Sequence, residues 1–356
     1  MSIAPASTPG PDPARPPGKL RRLLARADRF LLLLIATVAL AAILPARGAA
    51  ATWVEHGTTV AVALLFLLYG ARLAPQAIWA GLAHWRLQLL VFVSTFMLFP
   101  LLGLGVAAAT RSWLPGEVVT GLLYLCLLPS TVQSSIAFTS IARGNVPAAL
   151  CSASLSNLVG VVLTPLLVAQ LLTRATGGLS LEAVRDIALQ ILLPFIAGQA
   201  IRPWAQGWLL AHPTLTSVVD RGSVLVVVYA AFGAGVVAGL WTQLSPLTLA
   251  AILALSLAIL AVVLVATTLA SRAMGFAVAD EIATVFCGSK KSMASGIPMA
   301  AILFPSHAVG LIVLPLMIFH QVQLFVCAGL ARRYADDPRH VPSDDAPPCP
   351  PPARRA

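Results

Sequence analysis

Charge is what this chain has least of. Charged residues make up 10% of its 356 residues, where a soluble domain carries about 25%. That excludes an ordinary soluble fold. Lysine occurs only three times and acidic residues thirteen times. Alternation of apolar and polar residues is missing too. The apolar runs are continuous, which excludes a membrane β-barrel and leaves helices as the spanning element. Cysteine is scarce. Cys126, Cys151, Cys287 and Cys327 fall in apolar segments and Cys349 in a proline-rich tail, with no metal-ligand or pairing pattern, so they read as small core residues. No glycine-rich stretch ends in Gly-Lys-Ser/Thr, which excludes a P-loop ATPase. What is present is apolar: 58% of residues are hydrophobic. The chain reads as a polytopic membrane protein whose first partner is the lipid bilayer.

Ten apolar segments approach the roughly 20 residues needed to cross a bilayer. They are expected at 29–45, 57–74, 87–109, 118–142, 146–171, 182–201, 217–239, 247–271, 281–303 and 308–331. The run after Arg29 is kept as the first span, because Ala46-Arg47-Gly48-Ala49 makes a poor signal-peptide cleavage site. The expectation is an all-α membrane protein of ten transmembrane helices in two inverted five-helix repeats. The repeats cover 29–176 and 179–333, with Gly177-Gly178 as the midpoint loop. An odd number of spans per half reverses the orientation of the second half, as in many secondary transporters. Residues 1–28 read as a disordered basic tail and 334–356 as a disordered C-terminal tail.

Arginine sets the orientation. Arg72, Arg86, Arg143, Arg202, Arg272, Arg332 and Arg333 fall on the same side as the basic N-terminus, while the other side receives mainly Arg47, Arg111 and Arg174. Both termini are therefore expected in the cytoplasm. The net charge of +10 is nearly all arginine, much of it in the tails, so it reads as membrane anchoring and implies no nucleic-acid partner. The Ala-, Arg- and Pro-rich composition points to a high-GC bacterium and its inner membrane.

Two of the three lysines, Lys290 and Lys291, stand side by side inside an apolar stretch. An ammonium near the bilayer centre costs at least about 2.5–3.5 kcal/mol on insertion scales. Such a pair is seldom kept for packing and reads as a substrate or ion site. Residues suited to breaking a helix cluster in the fourth and ninth segments: Pro129 in one, and Gly288, Gly296 and Pro298 in the other. Backbone groups freed by a break survive at that depth where they line a cavity or bind something. The expected site therefore combines Gln133, Ser134, Ser135 and Thr139 with Ser289, Lys290, Lys291 and Ser292, and adds Ser152 and Asn157 from the fifth segment. Taken singly, each Ser or Thr reads as a helix-packing group; taken together, the two interrupted segments read as a midplane site. Adjacent residues lie about 100° apart on a regular helix, so both lysines face one point only if the helix breaks there. No metal and no cofactor is expected.

Other polar groups carry less. Gln88, Gln190 and Gln199 read as interhelical hydrogen-bonding groups. His307 is expected in an outer loop, and His320 deeper, where a titratable ring could transfer protons. Arg143-Gly144-Asn145 reads as a tight turn in which the glycine eases a left-handed conformation.

The stretches Gln133–Asn145, Leu163-Thr164-Pro165-Leu166-Leu167 and Phe286-Cys287-Gly288-Ser289-Lys290-Lys291-Ser292 resemble the bile acid:sodium symporter family. The similarity is greatest to its divergent branch, which includes bacterial proteins and the seventh member of vertebrate solute carrier family 10. It covers about residues 29–333. The resemblance implies a core and a panel domain, with broken fourth and ninth helices crossing in the core. It also implies positions for sodium ligands, and here the chain departs. The Ser-Asn pair falls on Ser135-Ile136, the ninth-helix Glu on Phe286, the following Gln-Asn on Lys290-Lys291, and fifth-helix hydroxyls on Ala149 and Ala153. Sodium wants several oxygen ligands, and no Asp or Glu lies mid-span to balance its charge. The expectation is that at least one sodium site is absent.

Two mechanisms follow. A charged lysine could bind an anionic substrate, or a buried lysine could release its proton and make the coupling ion H+ rather than Na+. The leading function is therefore a secondary transporter of an organic anion or other small solute, and not an enzyme. Two alternatives stand beside it: a non-transporting regulator of ion homeostasis, and an intramembrane enzyme using a Ser/Lys pair.

Overall fold

The computed structural model describes residues 29–72, 84–172, 181–239, 244–337 and 339. The expected N-terminal tail 1–28, the Gly177-Gly178 loop and residues 340–356 lie outside them. Among the described residues all regular structure is helical. The helices are α1 (Arg29–Ile43), α2 (Ala49–Arg72), α3 (Trp85–Val93), α4 (Phe99–Thr110), α5 (Gly116–Leu127), α6 (Gln133–Ile141) and α7 (Val146–Leu171). They continue as α8 (Leu181–Ala211), α9 (Pro213–Val237), α10 (Pro246–Ala273), α11 (Val278–Gly288), α12 (Met293–Leu303) and α13 (Ser306–Ala335). A π-helical turn, Ser94–Leu98, joins α3 to α4 as one rod.

Six of these rods are long and apolar enough to cross a membrane: 49–72, 85–110, 146–171, 213–237, 246–273 and 306–335. Leucine, isoleucine and valine side chains on α1, α8 and α10 are exposed, as lipid-facing surfaces require. The chain is a multi-pass membrane protein. Every expected apolar segment overlaps a described helix, but the ends differ. α1 stops at Ile43, just before Pro45, α2 starts at Ala49 instead of 57, and α8 runs to Ala211 instead of 201.

Local sequence explains several starts. Asn145 caps α7 by accepting from the Ala148 amide at 3.0 Å, with Pro147 in the first turn. Ser245 caps α10 at the Thr248 amide at 3.1 Å, ahead of Pro246. Both follow the usual pattern of a short polar cap and an early proline. Between helices, small residues let backbones touch. A Cβ on Gly70 would lie 2.1 Å from the Phe195 carbonyl oxygen, and one on Gly198 2.0 Å from that of Leu67, so α2 and α8 pack backbone to backbone.

Two helices are interrupted. α5 ends at Leu127 and α6 starts at Gln133, so 128–132 is unwound; α11 ends at Gly288 and α12 starts at Met293, so 289–292 is unwound. Pro129 and Gly288 sit at these interruptions as expected. Gly296 and Pro298 do not: both lie inside α12. Gly296 is needed for space, since a Cβ there would come within 2.5 Å of the Leu128 side chain. Pro298 withholds an amide from the carbonyl of Ala294, and Ala294 lines a cavity, where such a group is tolerated.

Candidate functional site: two crossed helix breaks beneath a cavity

The unwound stretches cross and are tied to each other. The Ser292 amide donates to the Pro129 carbonyl at 2.9 Å, and the Ser130 hydroxyl to the Cys287 carbonyl at 2.6 Å. The crossing fits tightly: a Cβ on Gly160 of α7 would lie 2.6 Å from the Pro129 ring. Asn157 of α7 donates from Nδ2 to the Ser130 carbonyl at 2.7 Å, and the Ser130 amide donates to Ser156 Oγ at 3.0 Å.

Each broken half-helix exposes the carbonyls of its last turn, which a helix leaves without partners. At the end of α11 three serines supply them. Ser135 donates to the Phe286 carbonyl at 3.1 Å, Ser130 to Cys287 as above, and Ser94 to Gly288 at 2.9 Å. At the end of α5 the supply is a cation. Lys291 Nζ donates to the carbonyls of Leu128 at 2.7 Å, Thr95 at 2.9 Å and Cys126 at 3.0 Å, and lies 4.0 Å from the Phe99 ring centroid. Thr164 Oγ1 donates to the Leu127 carbonyl at 2.9 Å. An ammonium with three carbonyls and an aromatic face is fully coordinated, and it sits at the negative end of the α5 dipole.

Lys290 is placed differently. Its Nζ donates to the Ser134 carbonyl at 2.8 Å and lies 4.0 Å from the Phe138 ring centroid and 5.1 Å from that of Phe286. Both lysines are 0% exposed. The two side chains leave the break toward different helices, as the loss of helical geometry at 289–292 permits.

Above the crossing lies a cavity of about 440 Å³. The first turns of α6 and α12 form its floor: Gln133 and Ser134 from one, and Met293, Ala294 and Ser295 from the other, with Ser292 and Asn157 beside them. Ser292 caps α12 by accepting from the Ser295 amide at 3.3 Å. Two half-helix N-termini, each carrying a partial positive charge, thus open onto one space. The facing wall holds Tyr69 and Arg72 of α2 and Asp220 and Arg221 of α9, and Tyr69 donates to Asp220 Oδ1 at 3.1 Å.

Of the residues expected at the site, Gln133, Ser134, Ser292 and Asn157 line this cavity. Lys290, Lys291, Ser289, Ser135, Thr139 and Ser152 are buried away from it. Ser152 donates to Gln88 Oε1 at 2.9 Å, linking α7 to α3. Thr139 belongs to α6 itself, and a Cβ on Gly144 would lie 2.9 Å from its methyl group. The expected role of Gly144 also changes. It is Arg143 that takes the left-handed conformation, at φ 58°, whereas a Cβ on Gly144 would come within 2.4 Å of Ile282. His307 belongs to the first turn of α13 rather than to a loop.

Sequence reasoning missed the carbonyl of Thr95, since nothing in the sequence marks a π-helical turn. It also missed Gln323. Its Oε1 accepts the Lys291 amide at 2.9 Å and its Nε2 donates to the Lys291 carbonyl at 3.0 Å. Arg72 was read only for membrane orientation, and Asp220 and Arg221 were not read as cavity residues. Both ammonium groups donate to main-chain carbonyls, so the Ser/Lys pairing an intramembrane enzyme would need is not how these lysines are used.

Residues 28–336 match the SBF-like CPA transporter family. The chain is 55% identical over 310 residues to the uncharacterized protein PA2026 of Pseudomonas aeruginosa, covering 86% of this chain and 93% of that one. It is 51% identical over 320 residues to YfeH of Escherichia coli strain K12, whose name proposes a symporter, covering 89% and 94%. It is 27% identical over 318 residues to sodium/bile acid cotransporter 7 of Mus musculus, covering 86% and 92%. Crossed helix breaks under a cavity with polar groups on its floor, carried on a match that spans all the described helices, lead to one assignment: the chain belongs to the SBF-like CPA transporter family and is a transporter, not an enzyme.

Proposed function

We propose that this protein is a secondary transporter of a small organic anion, and that Lys291 takes the place a coupling sodium ion would hold at the crossing. The observation that carries the reading is the division of labour between the half-helix ends. Both C-terminal ends are closed, one by three serines and one by an ammonium and a threonine. Both N-terminal ends open onto the cavity and favour negative charge. The cavity floor carries no carboxylate, and the opposite wall sets Arg72 and Arg221 against the single carboxylate of Asp220, to which Tyr69 donates.

Sodium does not fit here. The carbonyls of Thr95, Cys126 and Leu128 already hold an ammonium, and a second cation beside it would be repelled. The name of the mouse relative, a sodium/bile acid cotransporter, describes that protein.

A second cavity of about 480 Å³ lies toward the other end of the bundle, lined by Glu55, Thr58, Thr59 and His307 among others. Along α9 the first cavity reaches Val224 and the second Val227; along α12 they reach Met299 and Ala301. Three residues of helix rise about 4.5 Å, so a thin apolar barrier divides two half-paths, as alternating access requires. This supports ten spans in two inverted repeats, with the breaks in the fourth and ninth; arginine placement supports both termini in the cytoplasm, and composition the bacterial inner membrane.

The test is binding by purified protein of a panel of small carboxylates, sulfonates and neutral analogues, read as a rise in Tm. Gln133→Glu places a carboxylate on the cavity floor, at a helix N-terminus that tolerates it. Stabilisation by an anion, weakened at least about tenfold in Gln133→Glu, is expected. Stabilisation by neutral analogues alone, or an unchanged affinity in the variant, would overturn the anionic assignment.

A further inference from the structure

His320 lies on the cavity wall, and its Nδ1 is 2.9 Å from Nε2 of Gln323. Gln323 is fully buried. Its amide pairs with both backbone groups of Lys291, accepting at Oε1 and donating at Nε2. That pairing fixes which end of the amide is nitrogen: turned over, it would set NH2 against the Lys291 amide and oxygen against its carbonyl. The atom facing His320 Nδ1 is therefore a donor, and Nδ1 must accept. A neutral imidazole accepts there. An imidazolium, which donates from both nitrogens, cannot.

We propose that His320 is the proton-responsive positioning residue of the transport cycle: a proton taken up from the cavity at Nδ1 breaks the contact to Gln323 and loosens its hold on the unwound Lys291 peptide. In the transport reading, on which its coupling role rests, this links proton uptake to the segment whose ammonium caps α5.

The other ionisable groups bounding this region are few. The opposite cavity wall holds Asp220 and Arg221 on α9 and Tyr69 and Arg72 on α2. α6 and α12 carry none. α5 has Glu117, Tyr124 and Cys126, and α10 has Arg272 in its last turn. α13 itself has His307, Cys327, Arg332, Arg333 and Tyr334, and the crossing adds Lys290 and Lys291. Among these, histidine titrates near neutrality without any perturbation, and the His320→Asn variant separates its contribution from that of the buried lysines.

Hydrogen–deuterium exchange on the full chain in detergent, without any solute, reads the hold directly. Protection of the 289–296 segment, corrected for the intrinsic pH dependence of exchange, is expected to fall about tenfold between pH 7.5 and 5.5. His320→Asn puts a permanent acceptor near Nδ1 and should keep the protection at both pH values, while His307→Asn should behave as wild type. Unchanged wild-type protection over this range, or the same loss in His320→Asn, would overturn the proposal. Should His320→Asn fail to fold, His320→Gln and the 15N shifts of selectively labelled histidines in the wild type make the same assignment: His320 must protonate where protection falls, and a mismatch overturns it. Failure here leaves the anion-binding result untouched, so the two readings stand or fall separately.

Discussion

At the scale of single residues, two adjacent lysines do different work. Lys291 satisfies three carbonyls that a broken helix and a π-turn would otherwise leave bare, whereas Lys290 satisfies one and rests on two aromatic faces. Each buried carbonyl left without a donor costs about 1–3 kcal/mol, and loss of the ammonium also removes its own desolvation cost. Lys291→Met is therefore expected to destabilise by about 3 kcal/mol, and Lys290→Met by only about 1 kcal/mol, because a thioether packs well on rings. Thermal unfolding of the two variants checks the order, and a larger effect at Lys290 would contradict these roles. The lysines themselves were legible in the sequence because an intramembrane charge is costly. Their direction was not. Where the backbone leaves the helix, spacing no longer dictates which way a side chain points. Both ammonium groups turned to carbonyls beneath the cavity rather than into it.

At the scale of elements, glycines decide which helices can touch. A Cβ on Gly121 of α5 would sit 2.4 Å from the Ile312 carbonyl oxygen of α13, while one on Gly105 of α4 would meet nothing within 4 Å. Gly121→Ala must push two helices apart and is expected to cost about 2–3 kcal/mol, lowering Tm and the yield of folded protein. Gly105→Ala is expected to be neutral or stabilising by up to about 1 kcal/mol. Equal effects from the two would refute the close approach of α5 and α13. The breaks were legible at Pro129 and Gly288, where a proline and a glycine fall amid hydroxyl residues. Pro298 misled because the cost of an interior proline depends on whether the freed carbonyl can be solvated, and the cavity beside Ala294 is invisible in sequence. The three serines that cap α11 come from positions 94, 130 and 135, on three separate segments, so no local motif records them.

At the scale of the whole molecule, the ends of distant helices are held by one buried carboxylate. Glu281, 1% exposed, pairs with Arg272 at 3.1 Å and Arg339 at 3.2 Å and accepts from Tyr334 at 2.9 Å. The chain after Arg333 was expected to be disordered. Instead α13 continues to Ala335, and Arg339 returns to Glu281 and to Asp337. Glu281→Gln is expected to cost about 2 kcal/mol. Arg339→Ala, on a partner that is 40% exposed, should cost less than about 1 kcal/mol and still less at high salt. A larger loss for Arg339→Ala would mean that the C-terminal segment, not Arg272, carries this contact. That several apolar helices cross the membrane was readable from apolar run length alone. This tie was not, because its partners lie 9, 53 and 58 residues away from Glu281.

The central claim is that an ammonium, not sodium, stands at the crossing. Its most direct measurement is the Tm of the purified wild-type protein in sodium chloride against potassium chloride at equal ionic strength. A binding ion raises Tm by mass action. The account predicts superimposable unfolding curves in the two salts. A rise in sodium alone, saturating with concentration, would place a sodium site in this protein and contradict it.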